Sequence, residues 1–274
     1  MNLLYITWDV SPEIFEIAGF APRWYSVLFA LGFVIGFFIV QSMFKKEKVD
    51  LELLNSLLMY VVVATVLGAR LGHCLFYDWE YFSQHPLEIL LPVQFEPEFR
   101  IIGFRGLASH GGAFGIIIAL WLWSRKHSKK PLMWILDRLV VPSALAGAFI
   151  RLGNLMNSEI VGKVTDVDWA FIFVLLGPEP RHPVQLYEAL AYLAIFAFLY
   201  WLYWKRNAGD KPGVLFGWFM ILMFTARFFL EYYKRSQGGF ETAFDNVLST
   251  GQLLSIPFVL IGVFFLIRPS LKKG

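Results

Sequence analysis

The chain has 274 residues, 57% of them hydrophobic and only 16% charged, with a mean hydropathy of +0.58; a soluble domain of this length carries more charge, so the composition points to an integral membrane protein. A net charge of +3, with no basic block interleaved with aromatics, excludes a nucleic-acid-binding groove. The single cysteine, Cys74, excludes an intramolecular disulfide framework and any multi-cysteine metal site.

In chain order, the opening MNLLYITWDVSPEIFEIAGF lacks a basic start and places Asp9, Glu13 and Glu16 ahead of any long apolar run, so no cleavable signal peptide is expected. Seven apolar segments follow, at roughly 25–44, 57–76, 111–123, 132–150, 184–204, 213–230 and 252–267. Most approach the ~20 residues a helix needs to cross the hydrocarbon. The third is short, and spans only if the SHGG before it lies at membrane depth, shielded by protein, or if the bilayer is thinned there. No internal repeat, low-complexity tract or linker interrupts the series. The expected fold is all-α, a polytopic bundle of seven transmembrane helices forming a single domain over residues 1–274.

Short cytoplasmic loops collect lysine and arginine. KKEK follows the first segment, RKHSKK the third, KR with Lys211 the fifth, and Arg268 with LKK the seventh. The opposite connections carry Asp78, Glu80, Glu88, Glu96, Glu98, Asp166, Asp168 and Glu179. The amino terminus is therefore expected outside and the carboxyl terminus in the cytoplasm.

That orientation gives each intramembrane polar residue a depth. Tyr25 opens the first helix; Arg70 lies high in the second, sharing a face with His73 and Tyr77; His110 stands at the entrance to the third and Arg151 at the end of the fourth. Gln185 and Glu188 begin the fifth helix, and Arg227 and Glu231 end the sixth, so all of these fall in the outer half of the bilayer. The inner half holds little besides Asp137 and Arg138. A charge at membrane depth costs roughly 2.5–3.5 kcal/mol even on the lenient insertion scale, so it faces the bundle interior with a partner or a task.

Each cluster has a plain reading and a chemical one. Arg227 and Glu231, at i,i+4, can pair along one helix face as a simple staple. In HGG, Gly111 and Gly112 permit close approach of a backbone or ligand to His110, the side chain best suited to moving a proton near neutral pH; a tight turn feeding a helix explains the motif equally well. No GxSxG accompanies it, which removes an esterase oxyanion loop. In RLGNLMNSEIVG, Arg151 offers a planar fork that matches phosphate oxygens, and Asn154 shares its side if the helix continues. Asn157 and Glu159 suit a turn held by its own side chains. A helix cap accounts for Arg151 and Gly153 but leaves Asn157 and Glu159 unexplained. In RHPVQLYEA, Pro183 sits near a helix start and Gln185 and Glu188 face one way. The five histidines show no HxxxH or HExxH spacing, and no DxxD pair ends a helix, so a metal site is poorly supported.

These blocks, taken in order, resemble the bacterial prolipoprotein diacylglyceryl transferase family along nearly the whole chain. The family signature G-R-x-(G/A)-N-F-(aliphatic or F)-N-x-E-x-x-G corresponds to IRLGNLMNSEIVG here, with Ile150 in place of the leading glycine and Leu155 in place of the phenylalanine. RWY at 23–25, GAR at 68–70 with FY at 76–77, HGG at 110–112, RHPVQLYE and RFFLE at 227–231 resemble further family blocks, while Lys234 stands where arginine is expected.

The resemblance implies transfer of the diacylglyceryl group from phosphatidylglycerol to the cysteine thiol of a prolipoprotein signal peptide. This is the first step of bacterial lipoprotein maturation, and it yields a thioether and glycerol 1-phosphate. No nucleotide or metal cofactor is expected, and the partners are phosphatidylglycerol, the prolipoprotein and membrane lipids. The implied location is the bacterial inner membrane, multi-pass, with the active site toward the outer leaflet. On that basis His110 is the candidate base, with Arg151 and Arg227 as a phosphate clamp. Asn154, Asn157 and Glu159 are positioning groups, and Glu231 orients Arg227. Tyr25, Gln185 and Glu188 hydrogen-bond around the glycerol headgroup, while Arg70, Gly111 and Gly112 complete the substrate-binding set. Cys74 is read as packing, since the nucleophile belongs to the substrate. The alternative is an anionic-lipid transporter or flippase. It is disfavoured by the missing repeat and by polar groups gathered on one side of the bilayer, where alternating access needs a site near the midplane. A purely structural membrane subunit would not need six helices contributing polar groups at one depth.

Overall fold

A computed structural model describes residues 5–17, 21–91, 93–95, 98, 100–101, 108–235 and 248–271. Strand β1 (Ile6–Trp8) precedes helices α1 (Trp24–Lys46) and α2 (Leu51–Phe76). Two helical turns, α3 (Trp79–Phe82) and α4 (Leu87–Leu90), and an antiparallel pair, β2 (Val93–Gln94) and β3 (Arg100–Ile101), lead to α5 (Ser109–Trp123). Then come α6 (Leu132–Met156), β4 (Phe171–Phe173), β5 (Pro180–Arg181), α7 (Val184–Arg206), α8 (Val214–Leu230) and α9 (Thr250–Leu271).

Six of these helices, α1, α2, α6, α7, α8 and α9, are long and apolar enough to cross a membrane. They match six of the seven apolar segments read from the sequence. α5 has 15 residues, about 22 Å at the usual rise per residue, and passes directly into a π-helical turn, Ser124–Ser128. Large apolar side chains such as Val34, Phe38, Val62, Phe264 and Ile267 stand exposed along the long helices, as lipid-facing positions do. Glu96 and Lys272–Lys273, which entered the orientation argument, lie outside the described residues.

Contacts divide the described residues into two compact units, Met1–Val40 with Leu136–Gly274, and Gln41–Ile135. In the larger unit, small residues let helices approach. A Cβ on Gly32 would lie 3.2 Å from that of Ala146, joining α1 to α6, and one on Gly147 would lie 3.2 Å from the Tyr192 ring, joining α6 to α7. Gly217 and Gly262 face each other's carbonyls between α8 and α9. The buried Asp137 of α6 accepts from the backbone N–H of Gly213 (2.6 Å) and of Phe216 (2.8 Å), capping the start of α8 from a neighbouring helix. A three-stranded sheet, ordered β1-β4-β5, packs through Trp8, Phe171 and Phe173 against Leu155 at the end of α6 and Leu186 at the start of α7. β1 runs parallel to β4, with Ile6 opposite Phe171, and β4 is antiparallel to β5.

In the smaller unit, α2 and α5 cross through two matched small-residue ladders, Gly68 with Gly72 and Gly111 with Gly115. A Cβ on Gly72 would lie 2.7 Å from the Gly111 Cα, and one on Gly115 2.7 Å from the Ala64 carbonyl. Close backbone approach of this kind is how membrane helices gain packing energy when water exclusion offers none. Gly111 is therefore occupied by helix packing, a use of HGG that the sequence reading did not anticipate. Trp123, fully buried, donates from its indole to Ser56 Oγ at 2.8 Å across the same pair.

Candidate active site

The polar cluster of the larger unit forms where α6 ends, α7 starts and α8 ends. α6 runs six residues beyond the apolar segment read from the sequence, through Met156, so Arg151 and Asn154 share its last turns. Arg151 Nη1 donates to Asn154 Oδ1 at 3.3 Å. The following residues close a tight loop. Asn157 N, Ser158 N and Glu159 N donate to the carbonyls of Gly153, Leu155 and Asn154, and the Asn157 amide donates to the Glu159 carboxylate.

Ser158 and Ile160, flanking Glu159, both adopt left-handed backbone at φ 53° and 54°. Neither is glycine, and Ile160 is β-branched, a combination that persists only where surroundings over-determine it. Those surroundings are present. Gln185, fully buried at the start of α7, donates its side-chain amide to the Glu159 carbonyl at 2.5 Å. Trp8 of β1 donates its indole N–H to the Leu155 carbonyl at 3.1 Å and packs with Leu186 against the core of Leu155, Val161, Phe171 and Phe173. Gly162 closes the loop against α7, and a Cβ there would lie 2.6 Å from the His182 carbonyl. Gly153 lies under Tyr25, whose ring would be 2.8 Å from an added Cβ. Tyr25 thereby sits beside Arg151 and Glu159, with both in electrostatic reach.

Glu188, 0% exposed, faces the loop from α7 and makes two ion pairs, Oε2 to Arg151 Nε at 3.0 Å and Oε1 to Lys234 Nζ at 2.9 Å. Lys234 also reaches Glu231 Oε2 at 3.2 Å. The sequence reading paired Glu231 with Arg227 along α8; the helix instead ends at Leu230 and tightens into a 3-10 turn, Glu231–Tyr233. Glu231 N still donates to the Arg227 carbonyl, but its carboxylate is engaged by Lys234 and lies against Gly251 at the start of α9. Among the described residues Arg227 makes no ion pair. Its guanidinium and that of Arg151 both act on the buried Tyr192 hydroxyl of α7, with Arg151 in hydrogen-bonding reach.

Lys234 and Tyr192 were absent from the sequence-derived set. Lys234 reads only as a lysine where the family resemblance leads to arginine, and Tyr192 as one aromatic among many. Its spacing of i+4 from Glu188 and i+7 from Gln185 was the available signal. Beside them, His182 contacts the Tyr187 hydroxyl through Nδ1 at 3.3 Å and the Tyr233 ring edge-on. Burial holds its ring pKa below the ordinary imidazole value.

The smaller unit carries the other sequence-derived residues. His110 lies in the first turn of α5 with its ring exposed and, among the described residues, without a hydrogen-bond partner. Gly112, one residue past the helix crossing, has room for a Cβ at ordinary contact distance, 3.5 Å from the Thr65 carbonyl. Arg70 is buried and donates to the carbonyls of Glu88 (2.6 Å) and Ile89 (3.2 Å) while lying 4.6 Å over the Phe82 ring. Glu88 in turn accepts from the Phe95 N–H and the Tyr81 hydroxyl. Arg70 thus helps tie α2 to the segment following it.

Fold and site together define a polytopic membrane protein whose larger unit buries an ionic centre, with the Arg227 guanidinium uncompensated among the described residues, an arrangement suited to an anionic group at the end of the helices. The chain belongs to the prolipoprotein diacylglyceryl transferase family, whose profile matches residues 12–268. It is 45% identical over 270 residues to a phosphatidylglycerol–prolipoprotein diacylglyceryl transferase of Chloroherpeton thalassium, covering 98% of this chain and 96% of that one. It is 44% identical over 274 residues to a protein of the same name in Bacteroides fragilis, covering 99% and 98%. A third, from Tolumonas auensis, is 43% identical over 267 residues, covering 97% and 98%.

Proposed function

We propose that this chain transfers the diacylglyceryl group of phosphatidylglycerol to the cysteine thiol in a prolipoprotein signal peptide. The cysteine sulfur attacks the glyceryl carbon and a C–S bond forms. The C–O bond to phosphorus breaks with its electron pair, which leaves on the oxygen of glycerol 1-phosphate, and the thiol proton passes to His110. The thiol, with an ordinary pKa near ~8.5, must lose that proton to become a good nucleophile.

The observation that carries this reading is the buried ionic centre at Arg151, held by Glu188, with Arg227 within electrostatic range of the neighbouring Tyr192 and without an ion pair among the described residues. Charge grows on the phosphate oxygens as the C–O bond breaks. Preorganised guanidinium groups at that place stabilise the transition state more than the ground state. Asn154, Asn157 and Glu159 then hold the loop that fixes Arg151; Gln185 and Glu188, expected at the glycerol headgroup, are buried and bonded to that loop and to Arg151 instead, and Tyr25 packs on Gly153 beside it. Gly111 packs the helix pair that carries His110, and Arg70 steadies α2 against the segment that follows it.

On this reading α5 and its π-helical turn supply a seventh crossing, the amino terminus lies outside the bacterial inner membrane and the carboxyl terminus in the cytoplasm. The site then opens toward the outer leaflet, where an exported signal peptide meets the lipid headgroup, and the chain works as one catalytic domain. The test is to incubate purified full-length protein with phosphatidylglycerol and a peptide carrying the signal-peptide cysteine, with a chelator present. Thioether-linked peptide and glycerol phosphate are expected. Lipid movement between leaflets without product would overturn the reading in favour of a transporter.

A further inference from the structure

Four charged side chains of the larger unit alternate in sign along one connected path: Arg151, Glu188, Lys234, Glu231. The path joins the end of α6, the start of α7 and the turn after α8, and its formal charges cancel. Glu188 is completely buried and Lys234 is 8% exposed, so neither is available to a ligand while these pairs hold. Glu188 grips Arg151 by its Nε edge, and Asn154 takes Nη1. The terminal edge of the guanidinium, which the Tyr192 hydroxyl also approaches, faces away from Glu188 and is the edge an incoming anion would meet. Lys234 is locked in backbone as well as side chain. It bridges Gly162 of the strained loop, while Lys163 N donates to the Tyr233 carbonyl at 2.8 Å.

We propose that Glu188 and Lys234 are positioning residues that orient the Arg151 fork, with Lys234 offsetting the charge that Glu188 would otherwise set against it. A carboxylate paired with Arg151 alone competes with any phosphate for that guanidinium. A carboxylate shared with an ammonium group leaves Arg151 its pull on a ligand and keeps it in one orientation. Because the ammonium group comes from the segment that follows α8, the same contact sets the Arg151 fork in register with Arg227, seven residues earlier. The roles of the two arginines then separate. Arg227 is the surplus cation that draws the headgroup, and Arg151 is the aimed fork that meets the charge developing on the leaving phosphate. This inference rests on the transferase reading above.

The experiment compares the full-length parent with Lys234→Met, Lys234→Arg and Glu188→Gln in phosphatidylglycerol-containing liposomes, following thioether formation. Lys234→Met should lower kcat at least about tenfold while changing KM for the lipid less than about threefold, since Arg227 still captures it. Lys234→Arg should return to within about threefold of the parent, because it keeps the charge at Glu188. Glu188→Gln, which keeps shape and loses the charge, should behave like Lys234→Met. A second readout needs no turnover: the rate at which phenylglyoxal modifies Arg151, followed by mass spectrometry, should rise at least about fivefold in Lys234→Met with the Arg227 rate unchanged. Parent-like kcat and parent-like Arg151 reactivity in Lys234→Met would overturn the proposal, as would equal loss in Lys234→Arg and Lys234→Met with both unfolding at the parent temperature. A parent that forms no thioether product would remove the reaction of the preceding subsection instead, and the modification rates would still decide whether Lys234 orients Arg151.

Discussion

At the scale of single residues, the two arginines are not equivalent, and substitution separates them. Arg151 works through a planar fork gripped at one edge by Glu188 and at the other by Asn154; a lysine there keeps the charge and loses both grips. Arg227 has no such clamp among the described residues. We expect Arg151→Lys to lose roughly 100-fold or more in kcat, the scale on which a preorganised donor to developing charge acts, and Arg227→Lys to lose distinctly less. Equal losses in steady-state assays would contradict this division. His182 gives a residue-scale dependence on pH. Its pKa is held down by burial in the folded protein, so between that value and ~6.5 the unfolded chain binds a proton the folded chain refuses. Stability is therefore undiminished above ~6.5 and falls as pH drops through the window. Thermal unfolding in detergent from pH 7.5 to 5 should show that decline, and His182→Gln should flatten it.

The same scale shows what the sequence disclosed. Arg151, Asn154, Asn157 and Glu159 were legible because polar residues that follow a long apolar run need a reason. The structure supplies it in a loop tied together by their side chains and by Gln185. Lys234 drew notice only as a lysine where the family resemblance leads to arginine, and its partner was not legible because only the folded chain brings it to Glu188. The Arg227–Glu231 pair was read from helical spacing, which the backbone keeps, but the Glu231 carboxylate is engaged by Lys234 from the turn beyond α8.

At the scale of elements, two features carry strain or close contact. The loop from Asn157 to Ile160 holds two non-glycine residues in left-handed backbone, each costing of order 1–3 kcal/mol, and strand β1 pins its start through Trp8. Trp8→Phe keeps the packing and removes the indole bond to the Leu155 carbonyl, a loss of about 1 kcal/mol. Hydrogen exchange at the amides of Ser158 and Glu159 should quicken several-fold with little change in α9; unchanged exchange would show that the strand does not hold the loop. The α2–α5 crossing gives a sharper contrast. A Cβ at Gly111 collides with backbone atoms of Gly68 and Gly72, whereas one at Gly112 meets only ordinary contacts. Gly111→Ala should therefore destabilise by about 1–3 kcal/mol and Gly112→Ala far less, read as unfolding temperatures in detergent. Both glycines were visible in the sequence as room beside His110; that one of them is spent on helix packing required the partner ladder in α2.

At the scale of the whole molecule, six long apolar helices were legible because about twenty apolar residues in succession have few other homes. The ends were less so: α2 begins six residues before its expected start, at the Asp50 side-chain cap on Glu52 N, since capping polar residues lie outside an apolar window. The small sheet was not foreseen, because its strands have two or three residues each, too few for an alternating pattern to register. Orientation and the seventh crossing stand or fall together. If α5 and its π-helical turn cross the bilayer, the termini lie on opposite faces. Reporter fusions at the two ends, one active only outside the cytoplasm and one only within it, should report opposite sides, and termini on the same side would remove α5 from the set of crossings.

The carboxylate of Asp137 has a consequence for motion. It satisfies two amides at the start of α8 from its seat in α6, and any sliding of one helix past the other would strand those amides in hydrocarbon. α6 and α8 are thus bolted together at the end remote from Arg151 and Arg227, like the legs of a pair of tongs that share a rivet. Such a fastening opposes a piston stroke of either leg and leaves pivoting about Asp137 as the relative motion open to the two helices.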